Sequence, residues 1–412
     1  MVAELSLERL QQTVAGSAAA FRCRRRLSPG GGDGDKVFPP TFAGAVYAIE
    51  KRRLQGREDP VTCVLLDSVQ SQANRMELAL QEAVDAGRIE MPLIVVDFSQ
   101  YDPTGDIDAD QKAERFIDPV GRLTSLQVPH RLADAILRDS EFHGVTFRKS
   151  ECGRALNRVS LANATPLFEL CPTALVFGMW DSTGPKGGLG PKFERAMVSE
   201  IVGIGAEWHD DYRGRGVRRD PLEIRKAVPI RRAADRSWTI AEAGARGKDI
   251  VAPSEINHSS VPFESTNSGV TIEYAEQVTT LSLIGLRRLR FPVDGNSNPD
   301  GDLAARTLLA ALGLAAATLA FESGLALRSR CLLWPDGAMQ WEVLERPGAK
   351  VEVYSLPGDA AVALLEKAIE QARATALPWP TTPIELQPSQ KLVELVRLSQ
   401  LEAIKEEAEP GA

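Results

Sequence analysis

Apolar positions along the chain follow two rhythms. Val61–Leu66 (VTCVLL) is a continuous apolar run of strand length, and directly after it Val69, Ala73, Met76, Leu80 and Val84 recur at helical spacing. The pattern predicts a buried strand feeding an amphipathic helix whose other face shows Ser71, Gln72, Asn74, Arg75 and Leu78. Strands are also predicted at Pro92–Phe98, Thr173–Trp180 (TALVFGMW), Leu325–Trp334 and Met339–Glu345, the last two joined by Pro335, Asp336 and Gly337. Helices are predicted at the polar amphipathic N-terminus, at Arg131–Asp139 and at Pro191–Gly203, where Phe193, Ala196, Met197 and Ile201 face inward and Lys192, Arg195 and Ser199 share the outer face. More follow at Ala275–Arg288, Leu303–Glu322, Asp359–Ala374 and Gln390–Glu407. Ser28–Gly44 is a loop by its glycine and proline content. Four prolines from Pro378 to Pro388 make a stiff connector, so residues 1–376 are read as the main body and 377–412 as connector and C-terminal helix. Strands and helices alternating with long insertions read as α/β or α+β.

The most apolar span, Thr307–Phe321, is shorter than the ~20 residues needed to cross a bilayer and reads as a buried helix. With 412 residues, 43% apolar and 25% charged, there is material for one large domain or two modest ones. The N-terminus lacks a signal peptide's apolar core, and five scattered cysteines without a C-x-x-C pair argue against a disulfide framework or a cysteine zinc site. A reducing cytoplasm is the expected setting. Net charge is −8, yet Arg213–Arg232 holds eight basic and two acidic residues, among them Arg213, Arg215, Arg218 and Arg219. Two smaller basic knots are Phe21–Leu27 (FRCRRRL) and Leu286–Arg290 (LRRLR). Positive charge localised on an acidic body steers a polyanion to one face.

Most catalytic patterns fail. No Gly-Lys-Ser/Thr completes a Walker loop, and the dinucleotide fingerprint breaks where Phe193 takes the place of the third glycine. The acidic loops Asp106–Gln111 and Asp294–Pro299 lack the glycine and glutamate of a calcium loop. His130, His143, His209 and His258 form no zinc motif, and neither a G-x-S-x-G elbow nor any cofactor motif occurs. What survives is Trp180–Glu200 (WDSTGPKGGLGPKFERAMVSE). There Gly184, Gly187, Gly188 and Gly190 let backbone N–H groups approach phosphate oxygens, Lys186 and Lys192 add charge, and a following helix is expected to add its positive N-terminus.

Several long motifs occur in order: LLDSVQSQANRME, PHRLADAILRDS, VFGMWDSTGPKGGLGPKFERAMVSEIVG, NHSSVPF and LSLIGLRRLRFP. Together they resemble the CRISPR-associated RAMP protein of subtype I-U, now I-G, the Cas family seven backbone subunit of a type I Cascade complex, over about Thr41–Trp334. The resemblance implies an α+β fold with an RRM-like, ferredoxin-like palm carrying large insertions. It also implies a non-catalytic subunit that stacks head to tail with its own copies along CRISPR guide RNA. The further expected partners are target DNA paired to the guide and the large and guide-processing subunits, with no membrane.

By that resemblance the guide contacts are Lys186, Gly187, Gly188, Lys192 and Arg195, together with Ser71, Gln72, Asn74 and Arg75. Residues 207–262 are the candidate thumb, with Arg213, Arg215, Arg218 and Arg219 at its base, and the acidic stretch Ser99–Gln127 is the alternative. FRCRRRL and TALVFGMW compete to be the first palm strand, on which the roles of Arg22, Arg24, Arg25 and Arg26 depend; of these Arg24 and Arg26 are taken as RNA contacts. A different class stays open, a RAMP-type ribonuclease using a loop aspartate such as Asp33, Asp35 or Asp181, and so does a scaffold that binds only protein.

Overall fold

The computed structural model describes residues 2–42, 46–103, 115–182, 190–207, 227–233, 237–256 and 269–408. The N-terminal amphipathic pattern folds as α1 (Leu7–Ala15), whose Ser6 cap accepts from the Arg9 N–H. After it come β1 (Ala20–Pro29), β2 (Ile49–Arg52), β3 (Val61–Asp67) and α2 (Val69–Asp85), where Ser68 accepts from the Ser71 N–H. The middle of the chain forms β4 (Ile94–Asp97), β5 (Arg122–Thr124), α3 (Ala135–Arg138), β6 (Ser140–Phe142), α4 (Thr173–Phe177), β7 (Met179–Trp180), β8 (Lys192–Phe193) and β9 (Met197–Ile204). It continues through β10 (Tyr274–Ser282), α5 (Leu283–Arg287), α6 (Pro299–Glu322), β11 (Leu325–Arg328), β12 (Cys331–Pro335), β13 (Gln340–Leu344) and β14 (Glu352–Ser355). The last elements are α7 (Gly358–Ala374), β15 (Ile384–Pro388) and α8 (Gln390–Ala408).

The protein is mixed α+β with several sheets. The main sheet has ten strands, ordered Ala3–Glu4, β14, β13, β1, β10, β9, β3, β2, with β12 on the far end of β1 and β11 on β12. Within it β13, β1, β10 and β9 are neighbours, each antiparallel to the next. In chain order these strands and two helices run β1, α2, β9, β10, α6, β13, a strand–helix–strand–strand–helix–strand series. The second sheet holds five strands, with β15 at its centre between β6 and β4. The proline-rich stretch therefore delivers an interior strand, whose main chain pairs parallel to β4.

Several predicted elements take a different form. Leu325–Trp334 is not one strand but β11 and β12, which turn at Arg330 with φ +56° and pair antiparallel. Thr173–Trp180 is not one strand: Thr173–Phe177 is a buried turn of helix, and only Met179 and Trp180 are extended. A short apolar run with no exposed side carries no period by which strand and helix differ. The predicted helix at Pro191–Gly203 is instead β8 and β9, so Lys192, Arg195 and Ser199 do not share a helix face and no helix N-terminus follows the glycine loop. Met197, Ser199 and Ile201 are buried while Val198 is exposed, an alternation fixed by β10 on one side and β3 on the other. Ala275–Arg288 likewise begins as β10, with Ala275, Gln277, Thr279 and Leu281 buried, and turns helical only at Leu283. Arg131–Asp139 is broken because Arg131 sits at φ +52°, and the helix starts afresh at the Asp134 cap.

The span Thr307–Phe321 lies in α6, which is long and apolar enough to cross a membrane by length and composition yet is largely buried. It packs against α1, α2, α4, α5 and α7 and against β10. Its Asn298 cap accepts from the Gly301 N–H, and Asp300 and Asp302 place negative charge in its first turn. At Gly313 an added Cβ would lie 3.2 Å from Met197, 3.3 Å from Val176 and 3.5 Å from Leu281. Gly313→Ala is expected to be close to neutral, because tight contact offsets the gain in helix propensity of about 1 kcal/mol. Gly313→Leu overpacks three elements at once and is expected to cost about 1–3 kcal/mol, read from urea unfolding of both variants.

Candidate functional site

The predicted contacts at the start of α2 are largely engaged inside the protein. Asp67, at the end of β3, is only 1% exposed, and a buried carboxylate has to be paired and hydrogen-bonded. Ser71 Oγ donates to Asp67 Oδ1 at 2.8 Å, Gln72 Nε2 to Oδ2 at 2.6 Å and Arg75 Nε to Oδ2 at 2.9 Å. Arg328 on β11 reaches the same carboxylate at 3.3 Å, and Arg75 also donates to the Leu327 carbonyl. Gln72 is buried, not on the outer face: its Oε1 accepts from Ser199 and Gln277, tying α2 to β9 and β10. Asn74 is the exposed member of the predicted set, and it accepts from Gln70.

FRCRRRL is β1, a central strand of the main sheet, and TALVFGMW adds no strand to that sheet. Along β1 the side chains of Phe21, Cys23 and Leu27 are buried, while Arg22, Arg24 and Arg26 alternate to the opposite face. Arg22 pairs with Glu342 and Arg24 with Glu276, both at 2.6 Å, and Arg26 stacks 3.9 Å from the ring centre of Tyr274. The charges of Arg22 and Arg24 are thus matched by acidic residues on β13 and β10.

Trp180, Lys192 and Arg195 meet at an open cleft of about 840 Å³. Gly178 makes it possible: at φ +83° it turns the chain out of α4 into β7, and a Cβ there would press on Phe193 and Arg195. β7 and β8 pair through Met179 with Phe193 and Trp180 with Lys192. Trp180 is 56% exposed, and the Lys192 ammonium lies 5.6 Å from its ring centre, a cation–π contact. Arg195 donates to Gln70 at 2.7 Å, holding the ridge after β8 against the start of α2. The opposite wall carries His130, Arg138 and Ser182.

Two buried ion pairs fix this wall. Arg131 clasps Glu77 through both oxygens at 2.6 and 2.7 Å and donates to the Gly178 carbonyl. Burial raises the Glu77 carboxyl above its ordinary value, with the Arg131 fork opposing the rise. Arg148 clasps Asp181 through both oxygens at 2.7 Å, and Asp181 is fully buried. Asp181 is therefore a structural anchor beneath Trp180, with both oxygens occupied. Lys186, Gly187, Gly188, Arg213, Arg215, Arg218 and Arg219 lie outside the described residues, as does half of the candidate thumb.

Sequence reasoning missed Trp180, Gln70 and the two ion pairs. An aromatic residue beside a glycine-and-lysine loop was a signal within reach, whereas residues 54 apart such as Glu77 and Arg131 have none.

Residues 21–208, a little under half of the chain, match the family described as CRISPR-associated protein GSU0053. Over this segment the chain is similar to the CRISPR-associated proteins. The matched segment runs from β1 through β9 and holds every cleft residue named above, so the site lies inside the family region. A search of curated proteins finds no match.

Removing the carboxylate at the start of α2 tests how far the fold depends on it. Asp67→Ala leaves Gln72 and two guanidinium groups without their acceptor. The expected loss is about 2–4 kcal/mol in urea unfolding, discounted because Arg75 and Arg328 are partly solvated. Asn74→Ala should leave stability unchanged in the same assay, since Asn74 is exposed.

Proposed function

We propose that the protein is a non-catalytic, CRISPR RNA-binding backbone subunit of a type I-G (I-U) Cascade complex, holding the guide strand by its backbone for pairing with target DNA. The observation that carries this reading is the cleft, where an exposed aromatic ring, a lysine and an arginine meet beside the ends of the glycine loop. Cations that take phosphates and a ring that takes a base face are what sequence-independent single-strand binding requires. The antiparallel order β13, β1, β10, β9, joined through α2 and α6, supports an RRM-like palm, being the split βαβ arrangement. On this reading β1 is the first palm strand, residues 207–262 are the thumb, and β2, β3 and the second sheet are additions to the palm.

The cutting alternative loses one of its loop aspartates, the one that adjoins Trp180. Asp181 is fully buried with both oxygens held by Arg148, out of reach of a 2′-hydroxyl. The work assigned to the protein is binding, in the cytoplasm, in contact with its own copies and with the large and guide-processing subunits.

If Lys186, Lys192 and Arg195 each neutralise one phosphate, affinity for single-stranded RNA should fall with salt at a log–log slope of about −2. Changing Lys186 and Lys192 together to Glu should flatten that slope, and an unchanged slope would remove both lysines from the site. Trp180→Ala should weaken binding by about 1–3 kcal/mol with the slope preserved, because it removes stacking and no charge. Protein expressed with a CRISPR array and digested with ribonuclease should retain RNA protected at regular intervals, and protein without bound RNA would count against the backbone role.

A further inference from the structure

The ridge Lys192–Ala196 has a cavity on each side. On the far side from Trp180 lies a second, smaller space of about 190 Å³. Its floor is apolar and buried, made by Leu175, Phe193, Ala196 and Leu289, and Leu161 and Ile284 stand exposed at its mouth. Its rim carries Lys192, Arg195 and Arg288, with Glu194 held by Arg288 at 3.2 Å. An apolar floor with a few charged groups at the opening is the make-up of a small-ligand site, and a volume below the roughly 300–1,000 Å³ of sites for drug-sized ligands leaves room for one planar ring system.

Gly285 lines this cavity from the middle of α5. A Cβ at that position would meet only Ser282 at 3.5 Å and Ala196 at 4.0 Å, so nothing in the packing excludes a side chain there. A methyl group fits there without closing the cavity, whereas a longer side chain has only the cavity to enter.

We propose that this cavity takes one nucleobase of the bound single strand, on the opposite side of the ridge from the base stacked at Trp180. The inference rests on the RNA-binding reading above and adds a second base subsite to it. Lys192 and Arg195 line both spaces, so a sugar-phosphate chain crossing the ridge on these two cations carries its bases to either side. The apolar floor offers the π-face of the base a dry surface without reading its edge.

The test compares the full chain with Gly285→Leu, which fills the cavity, and Gly285→Ala, which leaves it open. The probes are a short uridine RNA and an abasic ribose-phosphate oligomer of equal length, followed by fluorescence anisotropy. Gly285→Leu is expected to weaken the uridine RNA about ten-fold and to leave the abasic oligomer unchanged, while Gly285→Ala binds both as the unaltered protein does. Leu161→Trp, at an exposed position on the mouth, closes the cavity from the other side and gives the same split if Gly285→Leu does not fold. Filled variants that bind the uridine RNA normally, or that lose both probes equally, would overturn the base subsite and leave the RNA-binding reading standing. An unaltered protein that binds neither probe would overturn that reading together with the subsite.

Discussion

An α-helix that is apolar on every side has to be surrounded, and α6 imposes that condition on the rest of the protein. Its middle turns offer only Leu, Ala, Gly and Thr to their neighbours, so α1, α2, α4, α5 and α7 close around it, and β10 lies against it. The close approach at Gly313 sets Val176 of α4 and Met197 of β9 against the same helix. Both residues lie a few positions from the cleft, one before Gly178 and the other after Arg195. The geometry that brings Trp180 to Lys192 is thus anchored in the hydrophobic core, and the exposed side chains inherit their precision from it.

The polar residues at the start of α2 serve a different end. Asp67 gathers Ser71, Gln72, Arg75 and Arg328, and Gln72 extends the network to Ser199 and Gln277. Serine, glutamine and arginine suit a phosphate backbone equally well as they suit a buried carboxylate. What separates the two uses is solvent access: burial commits Gln72 to the interior, and half-buried Arg75 gives donors to Asp67 and to the Leu327 carbonyl. The same holds on β1, where Arg22 and Arg24 face carboxylates on adjoining strands. A count of arginines overstates the positive charge that a nucleic acid would meet, and Lys192 with Arg195, both exposed beside Trp180, gives a better measure.

Asp181 shows how a chemical group can be near a site without acting in it. Two bonds from Arg148 turn a potential general base into a strut under the aromatic platform. Together with the Arg131–Glu77 clasp it makes a stiff wall behind a cleft whose open side is formed by exposed cations, an arrangement suited to gripping a strand. These features lie within the segment, residues 21–208, that is similar to a CRISPR-associated family.

The sequence alone determined the elements with a strong period or an extreme composition: α1, α2, α6, α7 and β3, together with the ordered motifs that resemble a CRISPR-associated family. It also located the stretch that borders the cleft, since glycines and lysines cluster there regardless of fold. Tertiary structure decided the rest. Phe193–Ile201 satisfies a helical period and a strand period at once, and only pairing with β3 and β10 made it extended. Arg75 and Lys192 are both basic residues beside polar ones, and only the placement of Asp67 under one and of Trp180 beside the other set one inward and one toward solvent. Local sequence fixes what a side chain can bond to; which partner it meets is set by contacts between residues far apart in the chain.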